Sequence, residues 1–140
     1  MPVFLHTRIR VSDLARTIAW YRHLGFECVG RDLCSPQGNR LAFLQIPGSD
    51  HQLELCCQPG RPPVVPEDLV HTAVGYPDLL AQCGELEKKG WAIWPGDWRQ
   101  TFPKGLRMAF VTDPDGYEVE LLELAPGGGP PGVPPAADVA

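Results

Sequence analysis

The chain has 140 residues, 44% of them apolar and 21% charged, the balance of one globular domain or two small coupled modules. Its formal net charge is −5 and it has no block of Lys or Arg, which argues against nucleic acid as a partner, since phosphate binding needs a basic stripe. No apolar run approaches the ~18 to 20 residues of a membrane span, the N-terminus lacks the grammar of a signal peptide, and five cysteines without Cys-x-x-Cys spacing point to a reducing cytoplasm rather than a disulfide framework or thiolate zinc site.

Residues 3–11 alternate as a strand, with Leu5, Thr7, Ile9 and Val11 on one face and His6, Arg8 and Arg10 on the other. Ser12 is expected to cap a helix in which Leu14, Ile18, Tyr21 and Leu24 recur at helical spacing up to a stop at Gly25. Strands are expected near 27–33, 41–46 and 52–57, closing a first module over 1–58. A Pro-rich linker follows over 59–69. The second module, 70–124, opens with a strand at 70–76 and a helix from about Asp78 to Gly90, with Leu79, Cys83 and Leu86 inward. Strands near 91–94, 107–112 and 117–123 complete it, and Asp113-Pro114-Asp115-Gly116 is a strong turn signal between the last two. Residues 125–140 are Pro, Gly, Ala and Val with little to bury, and read as a mobile tail.

The halves repeat one another. His6-Thr-Arg-Ile-Arg-Val-Ser-Asp-Leu14 matches His71-Thr-Ala-Val-Gly-Tyr-Pro-Asp-Leu79 in His, Thr, Asp and Leu. Farther on, Gly25-Phe26 falls on Gly90-Trp91, Ala42-Phe43 on Ala109-Phe110, and Leu53-Glu54-Leu55 on Val119-Glu120-Leu121. An ordered series of this kind indicates a duplicated βαβββ module and an α+β fold.

Each repeat therefore carries a His on its first strand and a Glu on its last: His6 with Glu54, and His71 with Glu120. Alternation places Leu53, Leu55 and Cys57 on one face of their strand and leaves Glu54 with Cys56 and Gln58 on the concave or solvent side. Glu120 falls likewise on the reverse face from Val119 and Leu121. Two imidazoles and two carboxylates suit a borderline divalent ion such as Ni²⁺, Co²⁺, Zn²⁺ or Mn²⁺, whereas Mg²⁺ or Ca²⁺ recruits more oxygen. Four protein ligands on an octahedral ion leave two positions for water or substrate, the open arrangement of a catalytic site.

The stretches Leu5–Leu14, Thr17-Ile-Ala-Trp-Tyr21, Leu24-Gly-Phe26 and Met108–Glu123 resemble the vicinal oxygen chelate superfamily, also described as the glyoxalase, bleomycin resistance and dioxygenase family. Within it the chain is most similar to the glyoxalase I (lactoylglutathione lyase) group. The resemblance covers roughly residues 4 to 124 and implies a cup-shaped mixed sheet around a metal site. It also implies the isomerisation of the hemithioacetal of methylglyoxal and a thiol, typically glutathione, to a 2-hydroxyacyl thioester through an enediolate. By the family pattern His6, Glu54, His71 and Glu120 hold the metal, Glu120 is the leading base, and Glu54 is its possible partner on the opposite side. Ni²⁺ or Co²⁺ is favoured because the chain is short. A homodimer with sites at the subunit interface is implied as well, one His–Glu pair coming from each subunit.

Arg10 matches a family arginine placed to hold a thiol cofactor's carboxylate, Gln58 stands where relatives often have Asn, and Lys104 and Arg107 precede the seventh strand, where relatives meet a glycyl carboxylate. The chain departs from the pattern at Cys56-Cys57 and in Trp91–Lys104. There, three tryptophans and a Phe line a larger apolar site, pack an edge or form a dimer contact. Competing readings are a metalloenzyme of the same fold with another reaction (epimerase, dioxygenase or thiol transferase) and a non-enzymatic binder of a hydrophobic compound.

Overall fold

The computed structural model of the chain describes residues 1–100, 107–129 and 131. The chain forms two units, one of Met1–Glu67 with Asp113–Tyr117 and one of Asp68–Thr112 with the chain from Glu118 onward. Most of the tail expected to be mobile lies outside the described residues.

The first unit runs β1 (His6–Arg10), α1 (Leu14–Arg22), β2 (Glu27–Cys34), β3 (Arg40–Gln45) and β4 (Gln52–Cys57). These strands form one sheet in the order β1-β4-β3-β2. β1 and β4 pair in parallel, which requires a long crossover, and α1 with the β2–β3 pair supplies it. Register sorts the side chains by face. Ile9, Ala42, Leu44, Leu53 and Leu55 are buried on the side that α1 covers with Ile18 and Tyr21, and Leu24, just past the helix, is buried as well. His6, Arg8, Phe43 and Glu54 take the other side.

The cap of α1 differs from expectation. Asp13, in extended conformation, accepts from the Arg16 amide at 2.9 Å, and its carboxylate also suits the positive end of the helix. Ser12 is drawn away to Asp115, donating its amide at 3.0 Å to Oδ2 and its hydroxyl to Oδ1. The second helix begins where expected, with Asp78 as its cap, accepting from the Ala81 amide at 3.0 Å.

The turn holding Asp115 closes on Asp113. Oδ1 of Asp113 accepts from the amides of Asp115 and Tyr117, each at 2.9 Å, and Oδ2 accepts from the Tyr21 hydroxyl at 2.9 Å. Gly116 sits at φ +102, a conformation that L side chains rarely adopt, and its amide reaches the Asp113 carbonyl at 3.0 Å.

The second unit runs β5 (His71–Tyr76), α2 (Leu79–Lys88), β6 (Met108–Thr112) and β7 (Glu118–Glu123), with sheet order β5-β7-β6. β5 pairs with β7 in parallel, β6 with β7 antiparallel. Val74, Ala109, Val111, Val119 and Leu121 are buried on one face, with Leu79, Cys83 and Leu86 of α2. The strand expected at 91–94 does not form. A single bridge joins Trp94 to Phe110, with hydrogen bonds in both directions at 3.1 and 2.7 Å. Pro95 has no N–H to donate, so pairing cannot propagate past it. The described residues of this unit therefore give βαββ with a bridge where the first unit has a full strand.

Candidate metal centre

In the first unit, parallel pairing sets Arg8 opposite Glu54 and His6 one step before it. His6 Nε2 lies 3.1 Å from Glu54 Oε2, and the Arg8 guanidinium holds Oε1. The Glu54 side chain is only 4% exposed. Of the two settings expected, concave or solvent side, the burial excludes open solvent: β4 is an inner strand, and its residues Leu53 to Cys57 are all buried. Phe43, directly opposite Glu54, meets the His6 ring edge-on at 5.5 Å.

The second unit repeats this arrangement. His71 Nε2 lies 3.0 Å from Glu120 Oε2, Glu120 stands opposite both Ala73 and Phe110, and Phe110 meets His71 edge-on at 6.1 Å. Glu120 is less enclosed, at 17% exposed. The register of each sheet thus places His, Phe and Glu on one face twice over.

A divalent ion can be tested against this geometry. Adjacent ligands on an octahedral ion with bonds of about 2.1 Å stand about 3.0 Å apart. The two His–Glu separations match that spacing, and the donors are of the borderline type. Each pair fits half of a metal site. Among the described residues no group of three or more His, Cys, Asp or Glu side chains is gathered to hold an ion, so each pair needs ligands beyond its own two.

The remaining expected site residues fall in different settings. Arg10 is exposed at the end of β1 and donates to Gln58 Oε1 at 3.3 Å, so these two are brought together. Arg107 lies 3.5 Å from Glu123 in an ion pair at the β6–β7 end, while its Nε is buried without a partner among the described residues. Lys104 lies outside the described residues. Cys56 is fully buried. Trp98 is also core: its indole donates to Glu87 at 3.1 Å, and Arg99, 4.3 Å above the ring, reaches the same carboxylate at 2.5 Å.

Strand alternation puts Arg8 on the face of His6, and its contact with Glu54 is a role that residue type alone does not reveal. The sequence signal for it is a basic residue two positions after His6, on the same face of the strand. Phe43 and Phe110 were visible as repeat partners only. Among the described residues no helix is long and apolar enough to cross a membrane.

Each sheet thus pairs a His-bearing strand in parallel with a Glu-bearing one. Residues 3–121 match the Glyoxalase/Bleomycin resistance protein/Dioxygenase superfamily, and the chain belongs to that family. It is 32% identical over 131 residues to a probable lactoylglutathione lyase of Vibrio parahaemolyticus, covering 85% of this chain and 88% of the relative. The lactoylglutathione lyase of Haemophilus influenzae is 32% identical over 126 residues, covering 85% and 90%. Among solved structures, the trypanothione-dependent glyoxalase I of Leishmania major superposes with a TM-score of 0.71 at 32% identity, covering 88% of this chain and 87% of that one. An antibiotic-binding protein from Streptomyces shares the fold at a TM-score of 0.71 and 23% identity, covering 89% and 98%.

Proposed function

We propose that the chain is a divalent-metal-dependent lyase of the glyoxalase I type, acting on the hemithioacetal of methylglyoxal and a thiol such as glutathione. The observation that carries this reading is the pair of His–Glu contacts at 3.1 and 3.0 Å, at equivalent positions of two repeats. Relatives named as lactoylglutathione lyases, alignable over most of both chains, support the same chemistry.

In this reading His6, Glu54, His71 and Glu120 hold the ion. Two copies of the chain form a homodimer in which one pair from each subunit completes a site. Ni²⁺ or Co²⁺ is the favoured occupant, with Zn²⁺ or Mn²⁺ as alternatives. An ion held by these four side chains would supply Lewis-acid stabilisation of negative charge developing on the substrate oxygens. Glu120, the more open carboxylate, takes the proton from the carbon bearing sulfur and returns it to the neighbouring carbon, while the hydroxyl proton passes from the oxygen of the first carbon to that of the second. Glu54, enclosed and tied to Arg8, stays in place as ligand. Arg10 with Gln58, together with Lys104 and Arg107, serve the carboxylates of the thiol, and the protein works in the cytoplasm.

The test is reconstitution. Protein stripped with chelator and reloaded separately with Ni²⁺, Co²⁺, Zn²⁺ or Mn²⁺ is assayed for thioester formation from methylglyoxal and glutathione. Turnover that requires metal and is abolished in Glu120→Gln supports the proposal. Tight metal binding without thioester removes the lyase assignment, and absence of metal binding removes the metal centre.

A further inference from the structure

A cavity of about 750 Å³ opens on the first unit, between the start of α1 and the β2–β3 hairpin, and its size is that of a small-molecule site. Register fixes the side on which it lies. Arg40 pairs with Cys57 and Ala42 with Leu55 on the side covered by α1, whereas Phe43 and Glu54 point to the opposite side. The cavity is therefore separated from the His6–Glu54 pair by the thickness of the sheet. Its floor is apolar: Ile18, Ala42 and Cys57 are buried there, with Leu14 and the exposed Leu33 beside them.

The rim carries two cations and two anions, and only one of each is matched. Arg31 Nε and Asp32 Oδ2 face each other at 4.0 Å. Arg40 has no hydrogen bond or ion pair among the described residues. Asp13 gives Oδ1 to the Arg16 amide and leaves Oδ2 open. Arg40 and Asp13 both act on the Cys57 thiol, one favouring and the other opposing its ionisation, so an unmatched cation and an unmatched anion stand over one floor. The wall between them is irregular. Pairing of β2 with β3 shifts between Gly30 and Leu33, and Asp32 sits at φ 59, in the region that favours glycine. Bulges and strain of this kind collect where a chain shapes a binding surface.

We infer that this cavity binds a free α-amino acid with a bulky apolar side chain. The planar fork of Arg40 takes the carboxylate, Asp13 takes the ammonium, and the side chain lies over Ile18 and Ala42. A purely anionic ligand meets Asp13 and Asp32, and a purely cationic one meets Arg31 and Arg40. A zwitterion matches both open groups at once. Binding here needs neither the metal nor the lyase chemistry.

The experiment titrates the full chain by calorimetry with L-phenylalanine, hydrocinnamate, phenethylamine and glycine, which lack in turn nothing, the ammonium, the carboxylate and the ring. The expected result is binding of phenylalanine, with each of the others weaker by about tenfold or more, the size of one lost charge-assisted contact or one lost buried ring. Arg40→Gln and Asp13→Asn each weaken phenylalanine by about tenfold. Arg40→Gln no longer separates phenylalanine from phenethylamine, and Asp13→Asn no longer separates it from hydrocinnamate. Asn caps a helix as well as Asp does, so the second variant removes the charge and keeps the fold; urea midpoints check both variants. Saturating phenylalanine also slows iodoacetamide labelling of Cys34, which lines the cavity, and leaves Cys28, which does not, unchanged. The site is overturned by absence of phenylalanine binding, by a single-charge probe that binds as tightly, by discrimination that survives both substitutions, or by binding that leaves Cys34 unprotected.

Discussion

Glu54 and Glu120 occupy matching places in the two repeats, yet Glu54 is 4% exposed and divided between His6 and Arg8, while Glu120 is 17% exposed and lies against His71. A carboxylate that must collect and return a proton needs room to turn, and a carboxylate that only holds a ligand position gains from being fixed. This asymmetry predicts unequal phenotypes. Glu120→Gln is expected to lower kcat by about 10² to 10⁴, the range for losing a general base. Glu54→Gln is expected to act first on metal affinity and on the denaturation midpoint, because it leaves a guanidinium facing a buried amide. Steady-state kinetics at saturating metal, beside a metal titration, separate the two. Equal kcat losses at full metal occupancy would remove the division of roles.

Arg8 provides a second test of the same site. Removing a partner from a buried charge is costly, but Arg8 is itself 43% exposed, which reduces the loss to about 1–2 kcal/mol. Arg8→Met should therefore destabilise the metal-free protein by that amount in urea unfolding. A divalent ion supplies the carboxylate with a new positive partner, so the gap between Arg8→Met and parent should narrow at saturating metal. A gap that is unchanged by metal would place Arg8 outside the ligand environment.

Much of this arrangement was legible in the sequence because strand alternation and the repeat reinforce each other. His6 and Glu54 are far apart in the chain, but each has a counterpart in the second half, and the period-two pattern fixes which face each one takes. Burial was harder to read. Alternation tells faces apart without saying which are covered, and β4 lies inside the sheet, so Glu54 and Cys56 are enclosed on the face that looked polar. The strand expected at 91–94 failed for a local reason, Pro95, whose effect on pairing is readable in isolation but was outweighed by the repeat. The N-cap of α1 is Asp13 rather than Ser12 because Ser12 has a partner about a hundred residues away, at Asp115, which no local pattern announces. The Trp-rich segment divided in a way composition could not resolve, Trp98 into the core and Trp94 onto the site-bearing face.

The Tyr21–Asp113 hydrogen bond predicts a pH effect with a definite sign. Burial raises the Asp113 pKa above its ordinary value of 3.8, while the amides of Tyr117 and Asp115 and the Tyr21 hydroxyl pull it back. A carboxyl with a raised folded pKa contributes stability that is complete below its unfolded pKa and is lost as pH rises through the folded one. The stability difference between parent and Asp113→Asn should therefore fall as pH rises from about 4, Asn having no proton to lose. Tyr21→Phe removes a donor and should cost about 1–3 kcal/mol near neutral pH. That loss should shrink in acid, where Asp113 is protonated. Urea midpoints at several pH values measure both, and a Tyr21→Phe loss that grows in acid would contradict the assignment.

The cysteines should differ sharply in reactivity, since the thiolate is the nucleophile and burial disfavours it. Cys34 is exposed and Cys28 half-buried, whereas Cys56, Cys57 and Cys83 are buried, and all five are free. Burial, with Glu87 nearby, pushes the Cys83 thiol up to about 11 against the opposing pull of Arg99. At pH 8 only about one Cys83 in a thousand would then be ionised. Burial also raises Cys57, whose Sγ lies 3.4 Å from the Ser12 carbonyl, although Arg40 pulls the other way. Brief treatment of the native protein with iodoacetamide at pH 8 should label Cys34 first and Cys28 more slowly. The other three should be modified only after unfolding in urea. Peptide mass mapping over a time course reads the order directly. Labelling of Cys83 at the rate of Cys34 would show that α2 and the segment carrying Trp98 and Arg99 open in the native state, against the closed packing of Glu87, Trp98 and Arg99.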